Sequence, residues 1–325
     1  MNYLIVPCLG RLIVDGLPQY LQRHPDGKLL FEKSIEGLPK DIYDRIIVAV
    51  LQNDIESYRA DKAIMESLTK AYPISFHVFS SLTSGPAETI YRTIKECNLN
   101  GSIIVKDCDN YICLSEKPIG NFVVGLDINT WKEEIFFLKQ KSFLIINEQN
   151  TILDIIEKQI KSSIISLGLY GFNNSEDFVC SYERLSDVNY HIDKLYVSHI
   201  ISYLIGYNER IFRYISASNY ENWGNVSLWN KIKKDRSIYF ISYDAFFVTN
   251  EMIIDDNKKT RLYFLQRQGA FFVWFTSLDE AERNHIEDRL RRQGLNVKQI
   301  IFNCPMFVEK TIIDSIESLE KAITL

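Results

Sequence analysis

The sequence has 325 residues, 46% of them hydrophobic and 24% charged, with a net charge of −5 and a pI near 5.7. This length predicts about two domains, the composition is that of a globular chain, and the lack of a basic surplus excludes a surface built for nucleic acid or acidic lipid. No apolar run reaches the ~18 residues of a membrane span. The start, MNYLIVPCLGRL, lacks a basic leader before a long apolar stretch, and the six cysteines (8, 97, 108, 113, 180 and 304) form no CxxC pair. Together these features predict a cytoplasmic protein with reduced thiols.

Tyr3–Pro7 reads as a first apolar strand. The loop after it, Cys8-Leu9-Gly10-Arg11 and Asp15-Gly16-Leu17-Pro18-Gln19-Tyr20, has two readings, a phosphate cradle of backbone N–H groups or a tight turn. Gly27–Phe31 leads into a helix through Ser34-Ile35, and Arg45–Leu51 is a second buried strand. Asp54–Ala71 reads as one amphipathic helix on the spacing of Ile55, Ala60, Ile64 and Leu68. Ile74–Phe79 is a third strand, and Gly85-Pro86 suits a helix entrance.

Ile103–Cys113, IIVKDCDNYIC, carries the strongest signal. Three β-branched residues in a row suit a strand buried on both faces of a parallel sheet. Asp107-Cys108-Asp109-Asn110 follows at its carboxyl end, where open α/β sheets bind ligands. Strand alternation would put Asp107 and Asp109 on one side and Cys108 on the other. Paired hard oxygens are how Mg2+ is held beside a phosphate; a plain turn uses the same residue types.

Next come a strand at Phe122–Ile128, an apolar stretch over Phe136–Ile146, Thr151–Ile156 running into Glu157-Lys158, and Ile164–Phe172 with Gly168 and Gly171 as close approaches. Leu195–Ile205 reads as a buried helix, ahead of Tyr220–Asn225. The strand–helix alternation predicts a mostly parallel sheet with helices on both faces. The polar run Asn230–Arg236 sets a boundary, giving domains 1–233 and 234–325. The second part reads as a small α/β unit, with strands at Ser237–Phe247, Leu262–Gln266, Phe271–Phe275, Val297–Phe302 and Thr311–Ile313 and a charged helix over Asp279–Gln293. The histidines at 24, 77, 191, 199 and 285 form no i,i+4 pair, so no zinc site is expected, and the serine-hydrolase elbow G-x-S-x-G is absent.

Taken in order, these segments resemble bacterial sugar-phosphate nucleotidyltransferases over roughly the first 230 residues. Val6-Pro7-Cys8-Leu9-Gly10-Arg11 and Pro18-Gln19-Tyr20 match the strand, glycine loop, arginine and Pro-Lys of that family. Gly85-Pro86-Ala87-Glu88-Thr89 matches its base-binding segment, Asp107 and Asp109 its metal-binding aspartate context, Glu157-Lys158 and Gly168–Phe172 its Glu-Lys and Gly-x-Tyr-x-Phe, and Asn222-Trp223-Gly224-Asn225 its late Asp-Trp-Gly-Thr. The resemblance implies a glycosyltransferase-A-like Rossmannoid nucleotidyltransferase domain. It implies Arg11 and Lys158 as catalytic residues and Pro7, Gly10, Gly85, Glu88 and Thr89 as nucleotide contacts. Asp127, Glu157, Gly168 and Tyr170 would be substrate contacts, and Asp107 and Asp109 ligands of Mg2+. The implied partners are a nucleoside triphosphate and a phosphorylated sugar or similar small phosphate; homo-oligomers stay open. Two departures stand out: the Pro-Lys lysine is Gln19, which brings no charge to a phosphate, and the late aspartate is Asn222, which removes an anionic ligand.

The last 90 residues or so resemble a small haloacid-dehalogenase-like phosphatase. Ser242-Tyr243-Asp244-Ala245 matches the family's Asp-x-Asp-Gly, Thr276-Ser277 its second motif, and Lys310 and Asp314 its third and fourth. The nucleophile position is the serine, so the resemblance implies a fold without phosphatase chemistry. Two functions follow as expectations: nucleotidyl transfer for surface polysaccharide precursors, or a catalytically impaired nucleotide-binding regulatory or scaffold subunit.

Overall fold

The structure, a computed structural model, describes residues 1–10, 13–14, 17–24, 28–68, 73–131, 137–188, 194–235, 238–246, 259–263, 271–295, 297, 299–303 and 312–313. The chain divides into two compact units. The first takes Met1–Gln22 and Leu29–Gly224, the second Arg23–Lys28 and Asn225–Leu325.

The first unit is built on a ten-stranded sheet. In chain order its strands are β1 (Asn2–Pro7), then, after a small ribbon of β2 (Ile13–Val14) and β3 (Leu17–Pro18), β4 (Arg45–Leu51), β5 (Ile74–Phe79), β6 (Ser102–Lys106), β7 (Asn110–Leu114), β8 (Phe122–Asp127), β9 (Ser142–Ile146), β10 (Thr151–Glu157), β11 (Ile164–Phe172) and β12 (Phe212–Asn222). The order across the sheet is β5-β4-β1-β6-β11-β8-β12-β10-β9, with β7 added on β12. Central β1 is parallel to both neighbours, with Ile5 beside Ile47 and Val105.

The apolar run of β1 alternates between two cores, as a pleated strand must. Leu4 and Val6 join Ile46, Val48 and Ile104 on one face, where α1 (Leu30–Glu36) brings Phe31 and Ile35 and α3 (Ala60–Ser67) brings Ile64. Ile5 joins Ile47, Ile103 and Val105 on the other, covered by Ile90 of α4 (Pro86–Glu96), Phe178 of α5 (Ser175–Val188) and Ile200 of α6 (Val197–Asn208).

Several expectations change. The helix expected over Asp54–Ala71 is two, α2 (Gln52–Tyr58) and α3, because Arg59 between them is left-handed at φ 51°. Beyond β6 the sheet is mixed: β11 pairs antiparallel with β6, β8 and β9, and β10 with β9 and β12, while β12 runs parallel to β8. Strands β7 and β12 were not expected. The strand alternation expected to set Asp107 and Asp109 is replaced by a turn at Asp107–Asp109, after which the chain pairs with β12 rather than β1.

The second unit has a four-stranded parallel sheet ordered β15-β14-β13-β16, from β13 (Ile238–Ser242), β14 (Phe271–Phe275), β15 (Gln299–Ile301) and β16 (Ile312–Ile313). Its core holds Ile241, Phe272, Trp274, Ile286 and Leu290. Two expected strands differ. The first stops at Ser242, where Tyr243–Phe246 turns helical, and residues 262–263 of the second belong to a helical stretch over 259–263.

Candidate functional site

At the carboxyl end of β6 the chain turns sharply, and two neighbouring segments hold the turn. A bulge in β11 between Ser166 and Tyr170 lifts Gly168 to φ +80°, a backbone state that favours glycine. The bulge presents the Gly168 carbonyl to the Asp107 N–H (2.8 Å) and the Leu167 carbonyl to the Asn110 amide (3.1 Å). A Cβ at Gly168 would lie 2.0 Å from Asp107 Oδ2. At the end of β12, Trp223 N–H donates to the Asp109 carbonyl (3.1 Å), and a Cβ at Gly224 would lie 2.3 Å from Asp109 Oδ2. Each carboxylate therefore packs against a glycine. Asp107 and Asp109 are set by a turn held from two sides, not by alternation along one strand. Cys108 between them packs with Cys8 in the opposite core.

Two lysines that the sequence reading passed over lie at this turn. Lys106 is fully buried and donates to the Asp107 carbonyl (2.5 Å), the Asn110 carbonyl (2.9 Å) and Asn110 Oδ1 (2.7 Å). Burial lowers its pKa to about 8, against the pull of Asp107 and Asp109. Lys141, just before β9, donates to Tyr220 Oη at 3.1 Å. Burial works against its charge too, but Tyr220, Asp109 and Asp107 outweigh it and hold its pKa above the ordinary lysine value. The Asp107 carboxyl is pushed up to about 7 by burial and by Asp109, with Lys106 and Lys141 opposing.

A second group of side chains follows β10. Glu157 accepts from Ser142 Oγ (2.5 Å) and Ser198 Oγ (2.6 Å), so β9 and α6 fix it. Lys158, left-handed at φ 56°, lies 3.9 Å from Glu157, donates to Tyr196 Oη and stands 4.1 Å from that ring's centroid. The Lys158 N–H donates to the Lys141 carbonyl at 3.1 Å, which joins the two groups. Tyr196 leads through Leu195, whose carbonyl accepts from Ala87 N–H (3.3 Å), to the start of α4. Gly85 there admits no side chain, because its Cβ would meet the Leu195 carbonyl at 2.8 Å.

The other expected contacts fall as follows. Glu88 caps its own helix by accepting from Ser84 N–H (2.6 Å), and Thr89 Oγ1 shares a hydrogen bond with Thr83 (2.7 Å). Pro7 closes β1, and a side chain at Gly10 would meet open space. Asp127 accepts from Asn129 N–H (3.0 Å) in the turn after β8. Tyr170 is buried, accepts from Ser166 Oγ (3.2 Å), and has its pKa raised by burial. Gln19 is buried and donates to the Trp223 carbonyl, which makes it a strut for the Asp109 wall. Arg11, Lys310 and Asp314 lie outside the described residues.

Asp107 and Asp109 are the two carboxylates that would hold a divalent metal beside a bound phosphate. Among the described residues no group of three His, Cys, Asp or Glu side chains is placed to hold a metal ion. The third oxygen beside Asp109 is the neutral Asn222 Oδ1, which accepts from Gly224 N–H at 3.0 Å, and the two carboxylates already face two ammonium groups.

No protein-family model matches the sequence, and no curated protein does. Solved structures do match. A nucleoside-diphosphate-sugar pyrophosphorylase from Vibrio cholerae RC9 is 18% identical with a TM-score of 0.57, over 72% of this chain and 100% of that one. The inositol-1-phosphate CTP transferase of T. maritima is 14% identical with a TM-score of 0.55, over 72% and 97%. A UDP-glucose pyrophosphorylase complexed with UDP-glucose is 13% identical with a TM-score of 0.54, over 72% and 98%. The second unit is far shorter than that share of the chain, so the likeness takes in the first unit. At such identities it is a likeness of fold: over 72% of its length the chain carries the mixed α/β fold of sugar nucleotidyltransferases.

Proposed function

We propose that the first unit binds a nucleoside triphosphate and a phosphorylated sugar, or a similar small phosphate, and transfers the nucleotidyl group. An acceptor phosphate oxygen bonds to the α-phosphorus, the bond to the β-phosphate breaks, and pyrophosphate leaves. The observation that carries this reading is the turn Asp107–Asp109 at a sheet's carboxyl edge, seated on Gly168 and Gly224 and joined through Lys141 and Lys158 to Glu157. Such chemistry is mainly positioning and electrostatics. Glu157, fixed by two serines, orients acceptor hydroxyls, Lys158 and Arg11 meet phosphate charge, and Gly85, packed on the Leu195 carbonyl, sets the start of α4 beside the base. Asp109 and Asp107 shape the phosphate side of the cleft. The setting we assign is cytoplasmic synthesis of capsular or lipopolysaccharide precursors. The second unit is assigned as a haloacid-dehalogenase-like domain without phosphatase chemistry.

The experiment is pyrophosphate release from the five common nucleoside triphosphates, each paired with a set of sugar 1-phosphates. Release with one pairing, lost in Asp109→Ala, is the expected result. A second reading, a nucleotide-binding regulatory or scaffold subunit, draws on Gln19 and Asn222 standing where the resemblance has charged residues. Nucleotide binding with no release from any pairing would favour it.

A further inference from the structure

We propose that Cys8 and Cys108 form a modification site: a hydroperoxide joins them in a reversible disulfide that draws the Asp107–Asp109 turn toward β1 and weakens nucleotide binding. The effect on nucleotide rests on the reading above; the bond itself does not. Register carries the proposal. Strands β1 and β6 are parallel neighbours whose partners keep one offset from Asn2 beside Ser102 to Ile5 beside Val105. Continued past the ladder, that offset sets Cys8 opposite Cys108. Parallel neighbours stand ~4.8 Å apart, inside the ~4.4–6.8 Å that a disulfide needs between its Cα atoms. The pleat turns every second residue to the same face. Cys8 accordingly shares the core of Leu4, Val6 and Ile104, and Cys108 packs against that core. The two thiols are in hydrogen-bond contact. Among the described residues no other cysteine packs there.

Access sets the order of events. Cys108 is partly exposed and Cys8 is fully buried, so a hydroperoxide meets Cys108 first and Cys8 resolves the product. The Cys108 thiol is oxidised to a sulfenic acid and one water leaves. The Cys8 sulfur then bonds to the Cys108 sulfur, the S–O bond breaks, and the Cys8 proton leaves with the hydroxide as a second water. Two thiols give up two electrons and two protons in all, and the peroxide is reduced to water. Closing from van der Waals contact to an S–S bond of ~2.05 Å pulls Cys108 toward β1. Asp107 and Asp109 flank it and move with it, off the seats where Cβ positions at Gly168 and Gly224 lie 2.0 and 2.3 Å from their carboxylate oxygens. The pull also acts on the Cys108 carbonyl, which accepts from Trp223 Nε1 at 3.4 Å.

The test uses the full chain. Reduced protein is treated with hydrogen peroxide, digested without reductant and mapped by mass spectrometry. A peptide pair joined through Cys8 and Cys108 is expected, released by dithiothreitol and absent in Cys8→Ala. Calorimetry with ATP, CTP, GTP, UTP and dTTP in Mg2+ then compares reduced, oxidised and re-reduced protein. The nucleotide that binds the reduced chain is expected to bind roughly tenfold or more weakly after oxidation and to recover on re-reduction, whereas Cys8→Ala binds it equally before and after peroxide. No joined peptide while the exposed Cys180 is oxidised overturns the proposal and leaves the nucleotide-binding reading standing, as does a joined chain of unchanged affinity. No nucleotide binding by the reduced chain overturns that reading and the effect on binding with it, and the peptide map then decides the bond alone. Should Cys8→Ala fail to fold, recovery of the parent on re-reduction decides.

Discussion

Asp107 gives the site a signature in stability against pH. An unfolded aspartate titrates near ~3.9, whereas burial and Asp109 push the folded group up to about 7. Between these values the folded chain keeps a proton that the unfolded chain has lost, so this group makes stability fall as pH rises through the window. Lys106, lowered to about 8, acts above that window. Asp107→Asn removes the fall, and thermal melts from acidic to neutral pH should show the variant gaining on the parent. A gap that stays constant would show that the lysines offset the cost of the charge. The glycines offer a second check. Gly168→Ala puts a Cβ 2.0 Å from Asp107 Oδ2 at φ +80°, and should cost ~1–3 kcal/mol in denaturant unfolding and weaken nucleotide binding. Gly224→Ala crowds Asp109 (2.3 Å) without a positive φ, so it should affect binding more than stability. The place of Asp107 and Asp109 past the carboxyl end of an apolar strand, and the close approach at Gly168, were legible from local pattern. Lys106 had a signal that went unread, a lysine inside the apolar run IIVKD. Lys141 had none, because only a contact across 79 residues, just before β9 to Tyr220 of β12, places it there.

Helix α2 ends and α3 begins at one exposed residue, Arg59, held at φ 51°. A side chain in this region costs ~1–2 kcal/mol, which glycine does not incur. Arg59→Gly should therefore be neutral to stabilising by up to ~1 kcal/mol once glycine's greater unfolded-state freedom is counted, and a lower melting temperature would show that the Arg59 side chain holds the corner. The break was illegible because Asp54–Leu68 keeps helical spacing across it; the corner is set by how α3 packs Ile64 into the core. The same limit explains the sheet. The strands β1, β4 and β6 read clearly because burial on both faces demands unbroken apolar runs. By contrast β12, FRYISASNYEN, alternates with polar residues and leaves several exposed. Its pairing with β7, β8 and β10 depends on contacts far away in sequence, which local pattern does not encode.

At the scale of the molecule the two units are compact separately, and every residue assigned to nucleotide binding precedes Asn225. A chain ending at Gly224 should therefore retain nucleotide affinity within about threefold of the full chain, measured by calorimetry; affinity found only in a chain beginning at Asn225 would reverse the assignment. The second unit is expected to hydrolyse no phosphomonoester. Its β13 and β14 run parallel with Ser242 beside Phe275, so Ser242 and Thr276 share the carboxyl edge where an α/β sheet binds ligands. The phosphatase resemblance needs a carboxylate there to attack phosphorus and form an acyl phosphate. A serine hydroxyl is a weak nucleophile without a base. The phosphate donors implied by that resemblance are also taken. Asp244 Oδ1 accepts from Thr276 Oγ1 at 2.7 Å, and its Oδ2 accepts from Ser277 N–H at 2.7 Å and Ser277 Oγ at 2.9 Å. A carboxylate thus sits on the groups that would cradle a phosphate, and it repels a second anion. Aryl phosphates and sugar phosphates should give only background turnover, and Ser242→Asp should not restore it, because Asp244 still holds Thr276 and Ser277. Metal-dependent phosphomonoester hydrolysis that disappears in Asp244→Asn would refute this and make the second unit an enzyme in its own right.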